Sequence, residues 1–203
     1  FKEVYRANLI RVIDSFAAFS THCKFIFIST SSVMLPVQTA YSLSKKAAEE
    51  LVHFMGTVSD KKTVIVRPFT VVGVGEPDIH LIPKLIDSCL NGTEMPFVQN
   101  PVHDFLDVED FVDALLLIKD KAEFEGEIYQ VGGGEAVSND VVRQLVEEVT
   151  GKKANLHYVD NLRAYDTQDW RADSIAIRSL GWKPKKDLRQ TITEMVNNER
   201  QNI

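Results

Sequence analysis

The chain has 203 residues, 44% hydrophobic and 26% charged, which is enough for one sizeable core or for one domain with a smaller appendage. Lys and Arg number 23 against 29 Asp and Glu, giving a net charge of −6 with no basic stripe, so a nucleic-acid partner has no electrostatic support. The apolar runs are too short to span a membrane, and Cys23 and Cys89 sit in hydrophobic surroundings outside any metal-ligand spacing; they point to a reducing, cytoplasmic compartment rather than to a disulfide scaffold.

Residues 3–19 read as a helix, with Val4, Leu9, Val12, Ile13 and Phe16 recurring on a 3.6-residue period. The opening Phe1-Lys-Glu-Val-Tyr5 has the character of a helix interior and shows no signal peptide. Phe25–Ile28 is a short continuous apolar run, as in a strand buried on both faces. A helix follows over 40–56, with Ala47, Ala48, Leu51, Val52 and Met55 on its packed side. Thr63–Val66 reads as a second buried strand that Arg67-Pro68 ends. A loop containing Gly73-Val-Gly75 leads to a helix near 79–90, stopped by Asn91-Gly92. Phe105–Val108 is extended, and acidic residues in the first turn suit a helix from there to about 118. Glu127–Val131 is a strand halted at Gly132-Gly-Gly134, which reads as a turn or a flexible connection. Ser138 caps a helix running to Thr150, Asn155–Val159 is extended, a short helix ends at Gly181, and Leu188–Val196 belongs to the last helix. Strands alternating with helices predict an α/β class with a mostly parallel sheet.

The segment with most chemical content is Tyr41-Ser-Leu-Ser-Lys45, downstream of a strand that ends in Ser29-Thr30-Ser31-Ser32. Residues four apart share a helix face, so Tyr41 and Lys45 stand together. A lysine ammonium beside a phenol favours the phenolate, and such a phenol can exchange a proton with a sugar or ketone oxygen. Thr30 could hold the same oxygen. A surface tyrosine and a surface lysine on an ordinary amphipathic helix is the plain alternative. A complete dinucleotide-binding fold opens with a strand, a glycine-rich turn and a helix. The sequence contains no GxGxxG or GxxGxxG, and Gly132-Gly-Gly134 comes late and precedes no suitable βαβ unit. Either the chain binds no dinucleotide or its N-terminal half is missing, and the helix-like start favours the second.

Taken in order, Asn8, Ser29-Thr-Ser-Ser-Val33, Tyr41-Ser-Leu-Ser-Lys45, Arg67-Pro-Phe-Thr-Val-Val-Gly73, His103-Asp-Phe-Leu-Asp-Val108, Gly126-Glu-Ile-Tyr-Gln-Val-Gly132 and Leu180-Gly-Trp-Lys-Pro184 resemble the extended short-chain dehydrogenase/reductase family, in the branch acting on nucleotide sugars. The likeness is greatest to reductases of GDP-linked 4-keto-6-deoxy-hexoses. It implies a partial Rossmann-like parallel sheet with a smaller C-terminal α/β substrate-binding part. Residues 1–75 would belong to the cofactor domain and 76–203 mainly to the substrate part, with returns to the core over 105–132. NAD or NADP is the implied cofactor and a nucleotide sugar the implied substrate. The first third of the family pattern has no counterpart. Tyr41 follows Thr30 by only eleven positions, where relatives carry a longer loop, so an omitted segment or a true deletion is expected near Met34–Gln38.

By the same resemblance Tyr41 is the catalytic acid/base, Lys45 its partner and a ribose ligand, and Thr30 the hydroxyl of the site, with Ser31 and Ser32 as alternatives that could also touch substrate. Asn8, Ser29 and Pro68 fall on the cofactor side. Thr70, His80, Lys84, His103 and Arg163 fall on the substrate side, Arg163 as the diphosphate ligand that a planar bidentate donor suits. Arg67 reads equally as structural or substrate-binding. Where 4,6-dehydratases have an Asp-Glu pair, this chain has Ser31-Ser32, which cannot act as a carboxylate pair. A 4-keto reductase is therefore the leading expectation and a 4-epimerase the alternative; an inactive binding member of the family is a further one. Relatives dimerise through the helices matching 3–19 and 40–56, and Phe16, Phe19, Leu51, Phe54 and Met55 would supply apolar surface for a homodimer.

Overall fold

The computed structural model describes residues 1–160 and 170–201. Two compact units divide them. The first comprises Phe1–Phe69, Val112–Val131 and Asp173–Trp182; the second comprises Thr70–Phe111, Gly132–Ala172 and Lys183–Ile203.

The first unit is built on a three-stranded parallel sheet in which Lys62–Pro68 lies between Lys24–Ile28 and Glu125–Val131. The register pairs Phe25 with Thr63 and Ile28 with Val66, as the two apolar runs require, and among the described residues Lys24–Ile28 has a sheet neighbour on one side only. The central strand continues through Arg67 and Pro68, which face Gln130 and Val131, instead of ending at Val66. A residue before proline is restricted to extended conformations, and a strand meets that restriction. The Ala40–Ser59 helix lays Ala48 and Val52 into a core with Phe16, Phe27 and Ile65. The N-terminal helical region runs as Lys2–Tyr5, a π-helical stretch Arg6–Ile10, and Arg11–Ala18. Phe16, Phe19 and Phe25 pack ring on ring at 4.9–5.3 Å, and the Lys61 ammonium lies 4.9 and 4.5 Å from the first two ring centroids.

In the second unit the Leu81–Asn91, Asn139–Thr150 and Leu188–Gln201 helices share a core around Leu85, Val142, Val146, Ile192 and Val196. Gly92 and Gly151 end the first two in the left-handed conformation, as the Asn-Gly and Thr-Gly pairs predict. Three short strand pairs complete it. Thr70–Val72 is parallel to Phe105–Asp107, Met95–Phe97 is parallel to Leu156–Tyr158, and Val102–His103 is antiparallel to Val137–Ser138.

Asp104 organises this unit. It is 0% exposed, and its carboxylate accepts the Gly134 N–H at 3.0 Å and the Ala172 N–H at 2.8 Å. Burial pushes its pKa up, while the surrounding backbone N–H groups work the other way. The Gly132–Gly134 run wraps closely round Asp104 and Phe105. A Cβ on Gly132 would come 2.6 Å from Asp104 Oδ2, and one on Gly133 would come 2.4 Å from the Phe105 carbonyl oxygen. The glycines therefore serve a close packing, not a loose connection. Gly133→Ala should lower stability by about 2 kcal/mol, the usual cost of overpacking. Urea denaturation reads this as a lower midpoint, and an unchanged midpoint would show that the Phe105 backbone yields.

Candidate active site

The carboxyl end of the parallel strands carries the candidate catalytic residues. The Ser29 N–H donates to the Val66 carbonyl at 2.7 Å, prolonging the ladder beyond Ile28. Thr30, still extended, caps a 3₁₀ turn over Ser31–Met34, with its Oγ1 accepting the Ser32 N–H at 3.2 Å and lying 3.0 Å from Ser32 Oγ. The hydroxyl of Ser29 is buried without a hydrogen-bond partner among the described residues. Gln38 closes the short connection by donating to the Leu35 carbonyl. Thr39 then starts the next helix through a capping box with Ser42, which is why Tyr41 falls in its first turn.

Tyr41 is 46% exposed, as a proton-transfer group that must meet a ligand requires. One turn on, Lys45 Nζ donates to the Ile28 carbonyl at 2.9 Å and lies 5.2 Å from the Phe27 ring centroid. The lysine is thereby tied to the strand that ends in Thr30. Burial pulls the Lys45 pKa down, and the Glu49 carboxylate partly opposes this. Asn8 reaches the same helix from the π-helical stretch, a distortion frequent at functional sites. Its Nδ2 donates to Ser44 Oγ at 3.1 Å, and Ser44 Oγ donates to the Tyr41 carbonyl at 2.7 Å. Arg67 resolves to its structural alternative. Its Nε and Nη2 hold both oxygens of Glu49, at 2.9 and 2.6 Å, with Glu49 5% exposed. Pro68 sits at the last register position of its strand.

Thr70, His80, Lys84 and His103 of the second unit line one cavity of about 640 Å³, with apolar walls that include Ile82, Met95 and Phe105. His80 is the residue before the Leu81–Asn91 helix, and His103 packs against the Phe105 ring at 5.7 Å between centroids. Glu76 belongs to no sequence motif. It lines the same cavity, its Oε1 lies 3.0 Å from His80 Nδ1, and burial pushes its pKa up while the His80 hydrogen bond pulls it back. No local spacing marks the pair, since Glu76 and His80 lie in the loop before the Leu81–Asn91 helix. Arg163 lies outside the described residues. Among the described residues no group of three or more His, Cys, Asp or Glu could hold a metal ion, and no helix is long and apolar enough to cross a membrane.

Residues 3–132 match the model of the NAD dependent epimerase/dehydratase family. The chain belongs to that family. Among curated relatives, the low-salt glycan biosynthesis protein Agl12 of Haloferax volcanii is 29% identical over 154 residues, which are 74% of this chain and 49% of that one. The uncharacterized UDP-glucose epimerase YtcB of Bacillus subtilis is 27% identical over 186 residues, 85% of this chain and 59% of its own. The mouse dTDP-D-glucose 4,6-dehydratase is 30% identical over 208 residues, 89% and 56%. This epimerase/dehydratase chain thus spans about half the length of such relatives. In fold it resembles MoeE5, solved with UDP-glucose and NAD, at a TM-score of 0.88 and 24% identity, covering 96% of this chain and 71% of that one. It also resembles the UDP-glucose 4-epimerase of Thermus thermophilus, solved with NAD, at a TM-score of 0.87 and 21% identity, covering 98% and 71%. The parallel sheet with further C-terminal α/β elements is the shared architecture.

The depressed Lys45 pKa has a consequence for folding. Between that value and the ordinary 10.5 the unfolded chain binds more protons than the folded one, so Lys45 contributes stability that grows as pH rises through this window. Lys45→Met should flatten the stability-against-pH curve on the alkaline side, as read by denaturant titrations over a pH series. An identical slope in both proteins would show that Lys45 is not desolvated.

Proposed function

We propose that the full-length protein is an NAD(P)-dependent oxidoreductase acting at C4 of a nucleotide-activated sugar, with Tyr41 as the acid/base. The observation that carries this is the Tyr41–Lys45 turn bound through Lys45 to the strand that ends in Ser29 and Thr30, within a chain of this family. The bound dinucleotide would supply a hydride acceptor and donor. The residues present suit its nicotinamide-ribose end, since Lys45 has further donors and the Ser29 hydroxyl is unpartnered. Asn8 and Ser44 hold the first turn of the catalytic helix, Pro68 closes the neighbouring strand, and Thr30 with Ser31 or Ser32 supplies hydroxyls for the sugar oxygen whose proton Tyr41 takes or returns. The cavity of Thr70, His80, Lys84 and His103 is the substrate side of the proposal, and Arg163 its diphosphate ligand. In this division of labour residues 1–75 serve the cofactor and 76–203 mainly the substrate.

The 4-epimerase form is favoured. Epimerases acting on UDP-linked sugars recur among the similar structures and relatives, and Ser31-Ser32 lacks the carboxylates that dehydration needs. The 4-keto reductase is the second reading. It is supported by 31% identity over 123 residues to the GDP-L-fucose synthase 1 of Arabidopsis thaliana, and GDP as the nucleotide belongs to that narrower form. In full-length protein given NAD or NADP and UDP-, dTDP- or GDP-hexoses, Tyr41→Phe should keep ligand binding and lose roughly 10²–10⁴-fold in turnover. An inverted C4 without net cofactor consumption identifies the epimerase; with NAD(P)H and a nucleotide-linked 4-keto-6-deoxy-hexose supplied instead, stoichiometric oxidation of NAD(P)H to NAD(P) with reduction of the C4 ketone to an alcohol identifies the reductase. Full activity in Tyr41→Phe would reject both. A cytoplasmic location belongs to the same reading, and Cys23 and Cys89 are both free thiols.

A homodimer through the N-terminal helical region and the Ala40–Ser59 helix is also proposed. Phe16 does not serve it, being 0% exposed in the core, and Phe19 and Met55 pack partly buried against that core. Leu51 is half-buried, and Phe54, 61% exposed, remains available, with Val58, 63% exposed, Ile10 and Leu43 adding apolar surface. Sedimentation of the full-length protein should show a dimer that Phe54→Glu converts to monomer. A monomeric native protein at tens of micromolar would refute the interface.

A further inference from the structure

Lys45 stands between two groups on one helical stripe, Tyr41 one turn before it and Glu49 one turn after it. An i,i+4 lysine–carboxylate pair is a favourable surface contact, so Glu49 is a standing competitor for the ammonium that the chemistry needs beside Tyr41. In the structure that pair does not form. Both Glu49 oxygens are taken by Arg67 from the central strand, and Lys45 bonds the Ile28 carbonyl of the edge strand, against the Phe27 ring. The Arg67–Glu49 pair is largely shielded, with side-chain exposures of 20% and 6%. A planar guanidinium gripping both oxygens is the arrangement that best occupies a carboxylate.

We propose that Arg67 is a positioning residue of the acid/base pair: by holding Glu49 in a two-pronged grip it denies Lys45 its downstream partner and keeps the ammonium on the Tyr41 side of the helix. The proposal rests on the reading of Tyr41 and Lys45 as that pair. The groups that face Lys45 are Glu49 from its own helix, the Ile28 carbonyl and Phe27 ring from one strand, and Arg67, through Glu49, from the next, while Tyr41 stands one turn before it on the helix. Glu49 already raises the Lys45 pKa against the effect of burial, so loss of Arg67 must strengthen that pull. The arrangement also accounts for Arg67 standing next to a proline in a strand: the extended backbone carries the guanidinium to the level of Glu49.

The test is the titration of the Lys45 side chain, followed by its ¹³Cε resonance in the full-length protein. In Arg67→Gln the midpoint should rise by about one unit, a tenfold change in the proton equilibrium. In the Arg67→Gln, Glu49→Gln double variant it should return to the native value or below. Breaking a shielded ion pair leaves an uncompensated charge and can unfold the chain. Arg67→Lys, which keeps the charge and gives up the two-pronged grip, supplies the same reading with a smaller rise if Arg67→Gln does not fold. A Lys45 midpoint unmoved in whichever single variant folds, or a raised midpoint that the double variant fails to restore, overturns the proposal. Turnover should fall in the single variant and recover in the double. The titration needs no turnover, so a Tyr41→Phe protein of native activity would remove the functional reading while the Lys45 result is still judged by itself.

Discussion

The parallel pairing of Lys24–Ile28 with Lys62–Val66 is the constraint on which the candidate site depends. Parallel strands bring their carboxyl ends to one edge of the sheet, and ligands of open α/β sheets bind beyond those ends. Here that edge presents, at neighbouring levels, the Ile28 carbonyl that takes Lys45, the hydroxyls of Ser29 and Thr30, and the Arg67 guanidinium that takes Glu49. A shift of one residue in this register would send each side chain to the other face of the sheet. The apolar character of both strands prevents it, because Phe27 and Ile65 must stay against Ala48 and Val52 of the Ala40–Ser59 helix.

Two buried carboxylates hold the chain in shape by different means. Glu49 is neutralised by a guanidinium, so its charge is met by charge. Asp104 is met by backbone N–H groups drawn in from Gly134 and Ala172, which needs bare backbone close by and explains the glycine run. Each removes an anion from water only because its oxygens are satisfied. Glu76 differs from both. One oxygen meets His80, in the wall of the cavity that also holds Thr70 and His103. A raised carboxyl pKa paired with an imidazole at a concave surface is a common mark of a functional site.

Periodicity and caps made most of the architecture legible. The apolar runs Phe25–Ile28 and Thr63–Val66, the Tyr41 helix, and the stops at Gly92 and Gly151 are written in local chemistry, where side-chain pattern and capping residues act over a few positions. The short strands Thr70–Val72 and Met95–Phe97 were not legible, since three residues hold no period and gain strand geometry only from a partner far along the chain. The π-helical stretch around Asn8 is of the same kind, and the bond from Asn8 to Ser44 crosses 36 positions.

The sequence by itself determined the class of fold and the placing of Tyr41 and Lys45 one turn apart on a single helix, because both follow from spacing within one element or from the order of elements. Only the tertiary structure decided what Arg67, Gly132–Gly134 and Glu76 do. A guanidinium, a run of glycines and an isolated glutamate each admit several roles, and the choice is made by what stands within about 3 Å, as for any hydrogen bond. For Arg67 that is Glu49, for the glycines it is Asp104 and the Phe105 carbonyl, and for Glu76 it is His80.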